Sequence, residues 1–225
     1  MLICFVGIDG SGKTVQAERL VQSLKARGIP CAYTWCRYSP RLMLPFIWGG
    51  KLFIRRKKGT SEYGGFTSAK RGLFRKPIVG WLWYTACLIE YLAQISWKLR
   101  FGLRGGRTLV CDRYIYDLIA DKAISLDCIG DGAAVLACHP LIRLFPAPDK
   151  VFFLDIPPAL ASERKNDPSV MGEQYLADRV KTYSYLTDAL GFTRIDGTKG
   201  IDEIADLVLR ETIKSIESLS LEDEK

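Results

Sequence analysis

The sequence predicts a three-layer α/β fold, in which a five-stranded parallel sheet carries helices on both faces. Three observations predict it. Short apolar runs alternate with helix-period stretches along most of the 225 residues, as in chains of β-α units. The runs are apolar throughout, which suits strands covered on both sides. A glycine-rich segment, Gly7 to Thr14, stands directly between the first run and the first helical stretch.

The first strand is LICFVG. It lacks a basic start and passes straight into the glycine segment, so no secretory signal is expected. A helix over Thr14 to Ala26 and the strand CAYTWC follow. From Arg37 to Lys76 the alternation stops, and glycine pairs punctuate basic and aromatic pieces in what reads as an excursion over the active face. The next helix, Pro77 to Phe101, contains IVGWLWYTACLIEYLAQISW, nearly long enough to span a bilayer. Glu90 and Gln94 lie one turn apart on it, which favours a core helix with a polar stripe facing a site over a membrane span.

The strand TLVCD precedes helices over Tyr116 to Ser125 and Gly132 to Leu144. The strand KVFFLD precedes Pro158 to Arg164, a short polar loop, and Glu173 to Leu190. FTRID and a helix over Ile201 to Ile216 complete the set, leaving LSLEDEK as a frayed acidic end. The expected organisation is one domain over 1–225, with a basic aromatic insertion at about 37–76 and a short lid at about 162–173.

Composition is that of an ordinary globular protein, 48% apolar and 25% charged. Seven cysteines without a CxxC pair read as buried, reduced thiols of a cytoplasmic protein rather than zinc ligands or a disulfide framework. His139 is the only histidine, which excludes a histidine dyad or a His-rich metal site. Between Arg37 and Lys76 eleven Lys or Arg stand against one Glu, a local +10 in a chain of net charge +7, so the remainder is at −3. An anionic partner should meet the protein there. A solvated surface, an acceptor phosphate, a membrane surface touching residues 40–58 and a nucleic acid are the readings, with nucleic acid the least favoured.

Gly7-Ile-Asp-Gly-Ser-Gly-Lys13-Thr14 fits GxxxxGK[ST] between a strand and a helix, where that pattern has physical meaning, and so specifies the three-layer P-loop NTPase fold. Gly7, Gly10 and Gly12 lack the Cβ atoms that would keep successive N–H groups from curling around phosphate oxygens. Those donors, with Asp9 and Ser11 among them, and the positive end of the following helix make an anion site. Lys13 would reach the β and γ phosphates of ATP, and the Thr14 hydroxyl would help hold Mg²⁺.

Phosphoryl transfer then needs an acceptor in line and positive charge on the moving group. Asp112-Arg113-Tyr114 ends a strand on the edge where open α/β sheets bind ligands. Arg113 would hold an acceptor phosphate, with Asp112 near the metal; a helix cap and a surface arginine are the alternative. Arg164 or Lys165 could close over the phosphates, with Arg179 directed to the same place. Asp155 could assist Mg²⁺ through water or serve structure.

The ordered motifs resemble the thymidylate kinases, nucleoside monophosphate kinases, over nearly the whole chain. GIDGSGKT with Gln16, CDRY at 111 to 114, FLDIPP at 153 to 158, and the order of lid arginines, aromatic-rich helix and closing IDGT carry the resemblance. It implies ATP- and Mg²⁺-dependent transfer to a nucleoside monophosphate, dTMP first, in a homodimer. It also implies that Asp9 meets the acceptor sugar, that Arg113 with Tyr114 and Arg37 serves the acceptor phosphate, that Arg164 or Lys165 supplies catalytic charge, and that Asp196 and Gly197 pass near the adenine. This chain has CRYSPRLMLP where the family continues with an Arg-Glu-Pro-Gly-Gly type loop. The family's thymine-reading arginine falls near Tyr91, with Glu90 and Gln94 beside it. Another anionic or membrane-presented acceptor, or a non-catalytic nucleotide-binding protein, is the alternative.

Overall fold

The computed structural model describes residues 1–41, 77–165 and 173–223. Strands β1 (Leu2–Val6), β2 (Cys31–Trp35), β3 (Thr108–Asp112), β4 (Lys150–Asp155) and β5 (Thr193–Asp196) form one parallel sheet in the order β2-β3-β1-β4-β5. Side chains alternate between its faces. Leu2, Cys4 and Val6 of β1 enter the larger core, and Ile3 and Phe5 the smaller.

Helices α1 (Lys13–Ala26) and α7 (Ile201–Asp223) close the smaller core through Leu20, Leu24 and Val208. On the opposite face lie α2 (Pro77–Gly102), α3 (Ile115–Ser125), α4 (Asp131–Ala137), α5 (Pro158–Lys165) and α6 (Glu173–Leu190). They contribute Leu88, Ile119, Leu136, Ala161 and Leu186 to the larger core. The fold is the predicted three-layer α/β P-loop architecture. Its consequence is positional: β1 leads to one face, while its neighbours β3 and β4 lead to the other. The connections therefore part beside the carboxyl end of β1, where ligands bind in open α/β sheets.

Several expectations are corrected. The outer strands β2 and β5 are not covered on both faces, and Tyr33 and Trp35 are exposed. The helix expected over 132–144 is two pieces, α4 and a 3₁₀ turn at Pro140–Leu144. Pro140 offers no N–H and biases His139 to the extended conformation it adopts, and the His139 ring then accepts the Leu141 N–H at 3.2 Å. α7 continues to Asp223 instead of fraying after 216, since neither glycine nor proline interrupts it. All seven cysteines are free, but only Cys4, Cys36, Cys87 and Cys111 are buried; Cys138, at the surface end of α4, is exposed.

Helix α2 is long and apolar enough to cross a membrane by length and composition. One row, Tyr84, Leu88, Tyr91, Ile95 and Leu99, is sealed against the core at helical spacing, while Ile78, Leu82, Ile89 and Trp97 are exposed on the other side. Its polar stripe does not face an open site. Glu90 accepts the Tyr38 hydroxyl at 2.7 Å and the Arg41 N–H at 2.5 Å, and the Gln94 amide donates to Ser39 O at 2.7 Å. Together they fasten residues 38–41 onto α2. The basic segment from 42 to 76, with its expected membrane-surface contact, and the lid residues 166–172 lie outside the described residues.

Candidate functional site

The glycine segment wraps the carboxyl end of β1 and delivers its last residues into α1. Gly12 takes φ 89° as the N-cap of that helix, and Gly10 takes φ 90°. A Cβ at Gly10 would stand 2.5 Å from Ala161 O of α5, so this turn packs only with glycine. Lys13, 4% exposed, donates to Ile8 O and to Ser11 Oγ at 3.2 Å. Burial, and then the neighbouring Arg113 charge, pull its amine down to about 7 against the opposing pull of Asp117 and Asp9. Amide donors, a helix N-terminus and a lysine on one side of the loop suit a polyphosphate.

Asp112, at the end of β3, brings its carboxylate to the same place. Its Oδ2 accepts the Thr14 hydroxyl at 2.5 Å and the Tyr33 hydroxyl at 3.2 Å. Its Oδ1 is buried without a hydrogen-bond partner among the described residues. A hydroxyl and an orphaned carboxylate oxygen beside a phosphate loop fit Mg²⁺, which binds through one or two protein oxygens, water and phosphate rather than an all-protein cage.

Next to this stands a pair of opposite charges. Arg113 Nη2 is bound to Asp9 Oδ1, and Arg113 Nη1 donates to Asp117 Oδ1 at 2.9 Å. Arg37 Nη1 lies 4.0 Å from Asp9 Oδ2, with about a third of its side chain exposed. Burial pushes the Asp9 carboxyl up, but Arg113, with Lys13 and Arg179 behind it, outweighs burial and holds the group well below the usual carboxylate range. Burial works against the Arg113 cation too, and Asp117 and Asp9 overcome it and raise its pKa.

Asp9, Ser11, Lys13, Thr14, Asp112, Arg113 and Arg37 are thus brought together. Others are not. Tyr91 and Tyr114, expected at the acceptor, are each 1% exposed and donate inward, Tyr91 to Cys36 O and Tyr114 to Pro146 O at 2.8 Å. Both aromatic bodies fill the core beneath the cleft. Asp155 is engaged by Arg194 at 2.9 Å. Arg164 donates to Gly197 O at 3.1 Å, and the Gly197 N–H to Asp155 O at 2.8 Å, so the Asp196 turn sits against the ends of β4 and α5. The Lys165 side chain lies outside the described residues. Sequence reasoning missed Tyr33 and Asp117, and it directed Arg179 to the transferring group, whereas the side chain is buried against Asp117 and Asp121. Helical spacing does place Asp117 one turn after Arg113, a signal that could have found it.

No protein-family model matches the chain. Curated relatives do. A protein named thymidylate kinase from Leptospira borgpetersenii serovar Hardjo-bovis is 28% identical over 210 residues, covering 91% of this chain and 89% of the relative. A probable thymidylate kinase of Methanocaldococcus jannaschii is 27% identical over 91% of each. The thymidylate kinase of Plasmodium falciparum is 24% identical, covering 94% of this chain and 89% of the relative.

The glycine turn yields a differential prediction. Gly10→Ala and Gly12→Ala both place a side chain at positive φ, each costing about 1 kcal/mol or more. Only Gly10→Ala also meets a carbonyl, since nothing lies within 4 Å of a Cβ at Gly12. Urea unfolding should show a further loss of about 1–3 kcal/mol for Gly10→Ala; equal losses would mean that the close approach is immaterial.

Proposed function

We propose that this chain transfers the terminal phosphoryl group of ATP, with Mg²⁺, to a nucleoside monophosphate, with dTMP the first candidate. The carrying observation is the Asp9, Arg113 and Arg37 cluster beside the phosphate loop. Two arginines face one carboxylate where an acceptor would lie in line with the triphosphate. The names of relatives matched over nearly the whole chain support the same reading.

In this reading the loop N–H groups and Lys13 hold the β and γ phosphates. Thr14 and Asp112 would hold Mg²⁺, which would supply positive charge against the phosphates. Arg113 grips the acceptor phosphate and Arg37 adds charge from the end of β2. Asp9 then meets the acceptor sugar, and Arg164, from α5, approaches the moving group. A different anionic acceptor on the same machinery is the second reading. It is favoured by Glu90 and Gln94, near the place of a thymine-reading arginine, being engaged with residues 38–41.

Coupled ADP release from ATP and Mg²⁺, against a panel of nucleoside monophosphates, tests the reading. Turnover should be selective for dTMP, and Lys13→Ala should lower it about 100-fold or more with the fold intact. Turnover retained by Lys13→Ala overturns the loop assignment, and selective turnover of another acceptor installs the second reading.

The depressed Lys13 amine adds a pH dependence. Above pH 7 it is largely neutral in the free protein, and polyphosphate raises its pKa, so binding restores the proton. Calorimetry in buffers of different ionisation enthalpy should show uptake of nearly one proton at pH 8, with uptake falling towards pH 6 and affinity declining as pH rises. Absence of uptake at pH 8 would show that Lys13 is already charged. The uncharged outer face of α2, Ile78 to Trp97, is proposed to pair with a second copy of this chain. Sedimentation should give a dimer that Leu82→Lys dissociates; a monomer at all concentrations refutes it.

A further inference from the structure

Arg113 is held from behind by a carboxylate to which the transfer scheme assigns no part. Asp117 is 2% exposed and gathers four donors: Arg113 Nη1 at 2.9 Å, the Tyr183 hydroxyl at 2.8 Å, Arg179 Nη2 at 3.4 Å and the Tyr114 N–H at 3.3 Å. Arg179, 1% exposed, also reaches Asp121 at 3.1 Å and the Tyr183 hydroxyl at 2.7 Å. Its Nε is buried without a partner among the described residues.

Stability alone is a poor reason for this arrangement. Arg113 sits at φ 71°, a conformation that is strained outside glycine. An unsatisfied buried donor is costly, and well-packed apolar residues often replace buried ion networks without loss. These costs have a purpose if what must be maintained is the direction of the Arg113 guanidinium. The two carboxylates on Arg113 are not equivalent. Asp9 belongs to the loop and also faces Arg37, so an incoming phosphate can compete for both arginines. Asp117 is locked by three other donors from α3 and α6 and cannot follow.

We propose that Asp117, backed by Arg179 and Tyr183, is a positioning residue: it keeps one edge of the Arg113 guanidinium fixed while the other exchanges Asp9 for the acceptor phosphate. This rests on the reading above that Arg113 holds that phosphate. The competing explanation is that Asp117 only caps α3 through the Tyr114 N–H.

The test is a double-mutant cycle read in steady-state kinetics with ATP and the acceptor that wild type prefers. Asp117→Asn should lower kcat/KM for the acceptor by about 100-fold with the KM for ATP nearly unchanged. In an Arg113→Ala background it should lower it little further, because both changes remove one unit. Additive losses, or equal effects on both substrates with a lowered melting temperature, reduce Asp117 to a cap and overturn the proposal. Should Asp117→Asn not fold, Tyr183→Phe removes one supporting bond and should raise the acceptor KM several-fold without moving that of ATP; an unchanged acceptor KM overturns the proposal equally. Wild-type protein silent on every acceptor removes the reading beneath it, and the proposal with it, an outcome distinct from an active enzyme with additive losses.

Discussion

The buried ion pair between Asp9 and Arg113 joins the loop after β1 to the end of β3, and the arrangement of the site turns on it. Removing two charges from water costs several kcal/mol per ion, and their attraction compensates only with good geometry and further partners. Each ion has those partners. Asp9 meets Arg37 as well as Arg113, and Arg113 meets Asp117. The pair therefore needs three strand ends at once: β1 for the loop, β2 for Arg37, and β3 for Arg113. The order β2-β3-β1 makes those three ends neighbours, so topology is a condition of the electrostatics.

The glycine loop and the arginine cluster beside it differ in character. Beside Lys13, the donors of the glycine loop are backbone N–H groups, held by glycine turns packed against α5. Such groups carry no titratable charge and lose no side-chain entropy on ordering. In the cluster the donors are arginines, whose long side chains must be directed by other groups. Asp117, Arg179 and Tyr183 supply that direction from α3 and α6. A strained backbone at Arg113 belongs with this division, because a side chain needed in one direction can hold its backbone in a conformation it would otherwise avoid.

Legibility in the sequence followed the range of the interaction. All five strands were readable, as apolar runs of strand length are a local signal. So was the loop, where strand, glycines, lysine and helix lie within a dozen residues. The break at Pro140 was also local and followed from proline chemistry, yet the apolar content of residues 132–144 masked it. What was not legible lies between distant residues: Tyr33 with Asp112, Arg179 with Asp117, and Tyr38 with Glu90. Tyr91 and Tyr114 show the same limit from the other side. A tyrosine beside a motif can point to the cleft or to the core, and here backbone carbonyls at Cys36 and Pro146 decide for the core.

The course of the chain after β2 follows from these engagements. Glu90 and Gln94 hold the segment after β2, and Tyr38 sits between α2 and α3 with its hydroxyl on Glu90 and Lys122 Nζ 6.0 Å above its ring. This anchoring fixes where Arg37 emerges, since Arg37 lies between Cys36, tied to Tyr91 and to β3, and Tyr38, tied to α2. In the proposed reading the phosphate end of an acceptor would meet Arg37 and Arg113, groups whose directions are set from two sides. Glu90 and Gln94, near the proposed far end, are engaged with residues 38–41. Polar groups engaged in this way have little to offer a base by hydrogen bonding. Discrimination at that end would then come from shape and aromatic contact, a weaker device than hydrogen-bond readout.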